Sequence, residues 1–227
     1  MIDLYTWSTP NGRKVSILLE ELGLDYTVHS VNIGAGDQST PEFLKIGPNN
    51  KIPVIFDHDT GMSLMESGAI MLYLAEKHNQ FLPKNNTRRA AVMEWLMWQM
   101  GGLGPMAGQA HHFLKYAPNM TPPHIVKYAQ ERYRLEVKRL YKVLERNLVG
   151  RDFVAGNFYS IADMAIWPWV SLWRRQEQDL NLFPNIQNWS ERCKNRPGVQ
   201  KGRNLCKESR THIEKDKRAQ EILFRQS

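Results

Sequence analysis

Residues 2–22 read IDLYTWSTPNGRKVSILLEEL, and a change of pattern inside this stretch decides the architecture of the first third of the chain. IDLYTW is a short β-prone run that Ser8-Thr9-Pro10 halts. From Asn11 the period changes: Val15, Leu18, Leu19 and Leu22 recur at helical spacing, and Gly23 supplies a stop. A strand that runs directly into a helix places the helix's first N–H groups and the positive end of its dipole at residues 8–12. Such a place stabilises an anion, a thiolate included. No cysteine stands there, so a thiolate at this point arrives with a ligand. Thr9 and Asn11 can each donate a hydrogen bond to it. A plain helix cap is the other meaning of the same residues.

Working outward, the first 80 residues alternate strand and helix. Residues 26–33 (YTVHSVNI) alternate like a strand, Pro41 to Ile46 forms a short helix, and residues 52–57 (IPVIFD) form a third strand. Asp57 to Gly61 is a turn, Met62 to Met65 a fourth strand, and Glu66 to His78 a helix. Past Phe81-Leu82-Pro83 strand signals almost vanish. Long amphipathic helices are expected from Arg88 to about Met100 and from Ile125 to about Leu148, with further helices over Ser160–Trp173 and Ile186–Asn195. The shift divides the chain into an α/β domain over 1–80, an all-α domain over 88–206 and a basic tail over 207–227.

Two further motifs in the first domain carry polar chemistry. Asn49-Asn50-Lys51-Ile52-Pro53 opens the third strand; a proline there belongs at a strand start or a turn, possible in the cis form. The residue before it offers its N–H and C=O to an extended peptide, and Lys51 can pair with a carboxylate. Glu66-Ser67 begins the following helix, where Ser67 can bind a carboxylate with hydroxyl and amide while Glu66 takes an ammonium. A strand-initiating proline and an ordinary helix cap are the plainer meanings of these motifs.

Composition bounds the rest. Hydrophobic residues at 42% and charged residues at 23% describe a globular chain with ample length for a core. The net charge of +7 comes largely from Arg192 to Arg225, where Glu208, Glu214, Asp216 and Glu221 interleave with the cations. Mixed signs at that spacing describe a solvated helix face, and no nucleic-acid motif accompanies them, so no nucleic-acid partner is expected. No run approaches the roughly 18 apolar residues of a membrane span, and no cationic leader precedes an apolar stretch, so neither membrane nor secretory context is expected. Cys193 and Cys206 make neither a disulfide framework nor a metal site. The expectation is a cytoplasmic protein with two reduced thiols and no metal.

The order and spacing of the three motifs, followed by a helical half, resemble the glutathione transferase superfamily. Gly156-Asn157-Phe158-Tyr159-Ser160-Ile161-Ala162-Asp163 is similar to the family's capping box and staple. STPNGRKVSILLEELGLDY, PEFLKIGPNNKIPVI, ESGAIMLYLAEK, WLMWQMGGLGPMAGQAHHF, ERY and YSIADMAIWPWV look like the bacterial Nu class, also described as disulfide-bond oxidoreductases, over residues 1–206. That resemblance implies a thioredoxin-like N-terminal domain, an all-helical C-terminal domain, a homodimer, and glutathione, reduced or oxidised, as co-substrate. It implies that Thr9 and Asn11 replace the Tyr, Ser or Cys of other classes. It also implies that Gln38 and Lys51 hold the glycine end of glutathione, Ile52 its cysteinyl backbone, and Glu66 with Ser67 its γ-glutamyl end, with Arg132 reaching the ligand too.

The implied activity is reduction of disulfides through the ligand's own sulfurs. Two rivals share the same residues: transfer of glutathione to electrophiles or reduction of organic peroxides, and a non-catalytic regulatory protein on the same fold. Tyr5 at mid-strand is expected to be core, and His111-His112, adjacent on a helix, to pack rather than bind metal.

Overall fold

The computed structural model describes residues 1–208 and 213–224. Its four-stranded sheet has the order β2-β1-β3-β4, with β1 Ile2–Thr6, β2 Tyr26–Ser30, β3 Val54–Asp57 and β4 Met62–Met65. β1 pairs parallel with β2, Ile2 opposite Tyr26 and Thr6 opposite Ser30; β3 is antiparallel to both β1 and β4. A parallel pair needs a crossover, which is α1, Pro10–Leu22. α1 packs Val15, Ile17, Leu18 and Leu19 fully out of solvent and ends at Gly23, whose φ of 66° closes the helix in the left-handed region. α2 is Pro41–Ile46 and α3 is Ser67–Lys77. At the far end of α3, Lys77 Nζ lies 2.6 Å from a carboxylate oxygen of Asp57, a fully buried residue that ends β3, so helix and sheet are tied by charge as well as by packing.

By its contacts the chain divides into two units: Met1–His78 together with the described residues from Pro197 on, and Asn79–Arg196. The second unit is all helical, with α4 Asn86–Trp98, α5 Gly104–His111, α6 Pro123–Asn147, α7 Ile161–Val170 and α8 Pro184–Lys194. α5 is given no bounds by the sequence expectation, which places His111-His112 on a helix. It is flanked by two wide π-helical turns, Gln99–Leu103 and His112–Tyr116. Pro105 lacks an N–H in α5's first turn, where a missing donor is tolerated. α7 is buried at every position, Pro168 included, and ends three residues before the expected Trp173. Asp163 anchors it. Its buried carboxylate accepts from Ser160 N–H at 3.0 Å, Val154 N–H at 2.9 Å and Trp189 Nε1 at 2.8 Å. Tyr159 packs edge-on against Phe81 and Phe153, with the Arg196 guanidinium 3.9 Å from its ring centre.

Two more helices belong to the first unit. α9, Pro197–Asn204, crosses α1 at close range. Ser16 Oγ donates to the Gly202 carbonyl at 2.8 Å, and a side chain at 202 would begin 2.6 Å from the Ile17 backbone. Only glycine admits that approach. α10, Lys217–Phe224, lies in the basic tail. Part of the tail expected over 207–227, namely residues 209–212 and 225–227 with Arg225 among them, lies outside the described residues.

Candidate functional site

The junction of β1 and α1 is built by a cap and a glycine. Thr9 has extended backbone angles (φ −122°, ψ 162°), and its Oγ1 accepts from Gly12 N–H at 3.1 Å. A side chain at Gly12 would collide with Thr6 Oγ1 and begin 2.5 Å from the Trp7 carbonyl. The bare α-carbon therefore lets the first turn of the helix seat against the end of the strand. Pro10 occupies the first helical position, with Asn11 half-buried next to it. The positive end of the α1 dipole makes the junction electropositive.

Facing α1 are the turn before β3 and the start of α3. Asn50 is left-handed (φ 44°) and the Ile52–Pro53 peptide is cis. Glu66 also has positive φ, 69°, with ψ 111°, a conformation that costs about 1–3 kcal/mol and persists where the surroundings over-determine it. Here Asn49 Nδ2 donates to Glu66 Oε1 at 3.2 Å. Ser67 is the first residue of α3 and is buried. Its Oγ lies 3.5 Å from Nζ of Lys14, which is 2% exposed. Burial pulls the Lys14 ammonium down to about 7, against the field of Glu66, which favours its charged form. A lysine ammonium has no acceptor, so in this pair Ser67 Oγ accepts and its own proton is directed elsewhere.

These elements form a cleft of about 70 Å³ lined by Asn11, Asn49, Lys51, Ile52, Pro53, Met65, Glu66 and Ser67. It has room for one end of a peptide rather than a whole ligand. Five of the eight expected residues thus meet: Asn11, Lys51, Ile52, Glu66 and Ser67. Thr9 sits two residues before Asn11 as the cap. Gln38 does not line the cleft; it lies in the single turn Asp37–Ser39, 4% exposed, and its buried Oε1 has no hydrogen-bond partner among the described residues. Arg132 is exposed on α6 of the second unit.

Lys14 and Asn49 carry polar contacts that the sequence expectation missed. The signal for Lys14 was present, since it precedes Leu18 by four residues on the apolar stripe of α1. Tyr5 stacks on His29 with ring centres 4.5 Å apart and packs beside Phe43, outside the cleft. His111 is buried, stacks on Tyr116 and lies 3.3 Å from Arg175 Nη1. A larger polar hollow of about 260 Å³ in the second unit, beside Arg151 and Arg192, contains none of the expected residues.

The chain matches two family models, the glutathione S-transferase N-terminal domain over residues 1–76 and the glutathione S-transferase C-terminal domain over residues 106–197. It is 52% identical over 204 residues to the disulfide-bond oxidoreductase YfcG of Escherichia coli, covering 88% of this chain and 93% of that protein. Among solved structures it is similar to a glutathione transferase of Pseudomonas putida with one glutathione disulfide bound per subunit, at 43% identity and a TM-score of 0.83, covering 90% of this chain and 91% of the other. It is also similar to a glutathione transferase family member from Pseudomonas fluorescens with two glutathione bound, at 42% identity and a TM-score of 0.81, covering 89% and 92%. With a four-stranded βαβ sheet ahead of an all-helical unit, and with family models matched on both, the chain belongs to the glutathione S-transferase family.

Proposed function

We propose that the chain is a glutathione-dependent disulfide-bond oxidoreductase that works through the thiols of bound glutathione. One observation carries this: the cleft at the N-termini of α1 and α3 brings Asn11, Lys51, Glu66 and Ser67 together beside apolar Ile52, Pro53 and Met65 and is lined by no cysteine, so the reacting sulfur comes with the ligand. Two glutathiones supply the electrons that reduce a disulfide to two thiols and leave as one glutathione disulfide. The relatives named as a disulfide-bond oxidoreductase and as a transferase holding glutathione disulfide support the same reaction.

In this proposal Asn11 and Thr9 donate to the sulfur at the positive end of α1. Glu66 and Ser67 hold the γ-glutamyl end, Ile52 pairs with the cysteinyl backbone, and Lys51 and Gln38 take the glycine end. The part given to Arg132 rests on the resemblance alone. The buried Oε1 of Gln38 has no donor among the described residues, which costs about 1–3 kcal/mol, and an amide N–H of a peptide ligand would satisfy it. A bound thiol whose pKa is brought toward ambient pH gains thiolate fraction at some loss of nucleophilicity, so positioning and local charge do the catalysis. The proposal extends to a Nu-class, homodimeric, cytoplasmic enzyme in which residues 1–80 bind glutathione. No helix among the described residues is long and apolar enough to cross a membrane.

The test is steady-state turnover of 2-hydroxyethyl disulfide against conjugation of chlorodinitrobenzene, each with glutathione, alongside melting with either ligand. Disulfide reduction should dominate. Glutathione at about a hundred times its Kd should add about 2.7 kcal/mol of stability. Conjugation without disulfide reduction would make the protein a transferase acting on electrophiles. Absence of both turnover and thermal shift would favour the regulatory protein.

A further inference from the structure

The described residues of the tail beyond α9 do not line the cleft, yet they contain a capped helix. Asp216 caps α10: its Oδ1 accepts from Ala219 N–H at 3.0 Å, and its carbonyl accepts from Gln220 N–H at 3.0 Å. Gln220 Nε2 donates to the Ile213 carbonyl at 2.9 Å. Ala219 and Gln220 are only 1% and 5% exposed, so this helix is docked. Ala219 and Ile222, three residues apart, share a face. Ile222 Cγ2 lies 3.7 Å from the point where a side chain on Gly36 would begin, so the helix rests on the loop that follows β2.

That loop is closed on itself. Gly36 N–H bonds to the Asn32 carbonyl at 3.2 Å, and Asp37 Oδ2 accepts from Asn32 N–H at 2.9 Å. Gly36 has φ 93°, a conformation open to glycine and strained for other residues. The next turn, Asp37–Ser39, carries Gln38, whose amide is buried with its Oε1 unpartnered among the described residues. A buried carbonyl without a donor favours any motion that brings it to water. A helix resting on the loop opposes that motion and keeps the amide in place for a ligand.

We infer that α10 belongs to the ligand site: Ile222 is a positioning residue that holds the Asn32–Ser39 loop, and through it Gln38, in place to recognise the glycine end of the tripeptide. This rests on the proposal that the site binds glutathione with Gln38 at that end. The consequence is specificity. α10 sets the preference for glutathione over γ-glutamylcysteine, which has the same two other parts and lacks the glycine.

Calorimetric titration of the full chain with glutathione and with γ-glutamylcysteine tests this, using Ile222→Asp, Ile222→Val and Gln38→Ala. Ile222→Asp should lower glutathione affinity about tenfold and leave the dipeptide's unchanged, while Ile222→Val, which keeps the apolar contact, should retain wild-type preference. Gln38→Ala should lose the same preference. Equal weakening of both ligands by Ile222→Asp, or of neither, while Gln38→Ala loses the preference, overturns the role of α10 and leaves the site proposal standing. A Gln38→Ala protein that keeps the preference overturns the assignment of Gln38 and the inference with it. Wild-type protein that binds neither ligand overturns the glutathione proposal itself.

Discussion

Thr9 Oγ1 accepts a hydrogen bond from Gly12 N–H at 3.1 Å, and this cap consumes a lone pair of the hydroxyl but not its proton. Capping the helix and donating to a ligand's sulfur are therefore compatible in one side chain. Thr9→Ala should lose both, lowering stability by about 1 kcal/mol and slowing disulfide reduction. Thr9→Asp supplies a capping oxygen without a hydroxyl proton and should recover melting temperature but not turnover, whereas Thr9→Ser should recover both. Wild-type turnover in Thr9→Asp would leave Thr9 as a cap alone.

Asn11 lines the cleft from the first turn of α1, and its amide can donate there. Asn11→Ala should lower turnover by roughly tenfold to a hundredfold, the equivalent of a charge-assisted hydrogen bond, with a smaller change in glutathione Kd. The lost donor acts mainly on the charged sulfur while the ligand's two ends stay held. Stopped-flow turnover set beside a binding titration checks the split, and a variant that binds poorly but turns over normally at saturation would assign Asn11 to ground-state binding only.

Neither cysteine lines the cleft. Cys193 is buried on α8, and Cys206 lies with its sulfur 3.7 Å from Ser30 Oγ. A protein carrying Cys193→Ser and Cys206→Ser should keep most of its disulfide reductase activity. If that variant melts as a folded protein and has lost turnover, an enzyme thiol takes part and the ligand-only chemistry is wrong.

Lys14 gives a pH signature with a definite sign. Burial lowers it from 10.5 to about 7 in the folded protein, while the unfolded chain keeps the ordinary lysine value. Above about 7 the folded state has released a proton that the unfolded state still binds, so this group makes stability rise with pH until the ordinary value is passed. The stability of wild type relative to Lys14→Met should climb across that window. Denaturant melts of both proteins at matched pH values measure it, and parallel curves would show that Lys14 keeps an ordinary pKa.

Much of this fold was determined by the sequence alone, because the signals are local. The change of period after Trp7, the cap at Thr9, the stop at Gly23 and the paired start Glu66-Ser67 each act within a turn or two of backbone, and each appears where its residues place it. The meeting of Asn11, Lys51, Ile52, Glu66 and Ser67 was legible only through resemblance to a family, since their separation along the chain carries no distance information. Other features were decided by tertiary structure. Lys14 lies on the apolar stripe of α1, but its burial and its place beside Ser67 depend on elements distant in sequence. Gly202 is an unremarked glycine until Ser16, 186 residues earlier, bonds to its carbonyl and fixes α9 against α1. The tail reads as mixed charge because charge is its local pattern, whereas the docking of Ile222 beside Gly36 is a contact between distant segments. Local pattern sets which backbone conformation each segment adopts; burial and charge environment arise when remote segments exclude water together, and only the folded chain decides them.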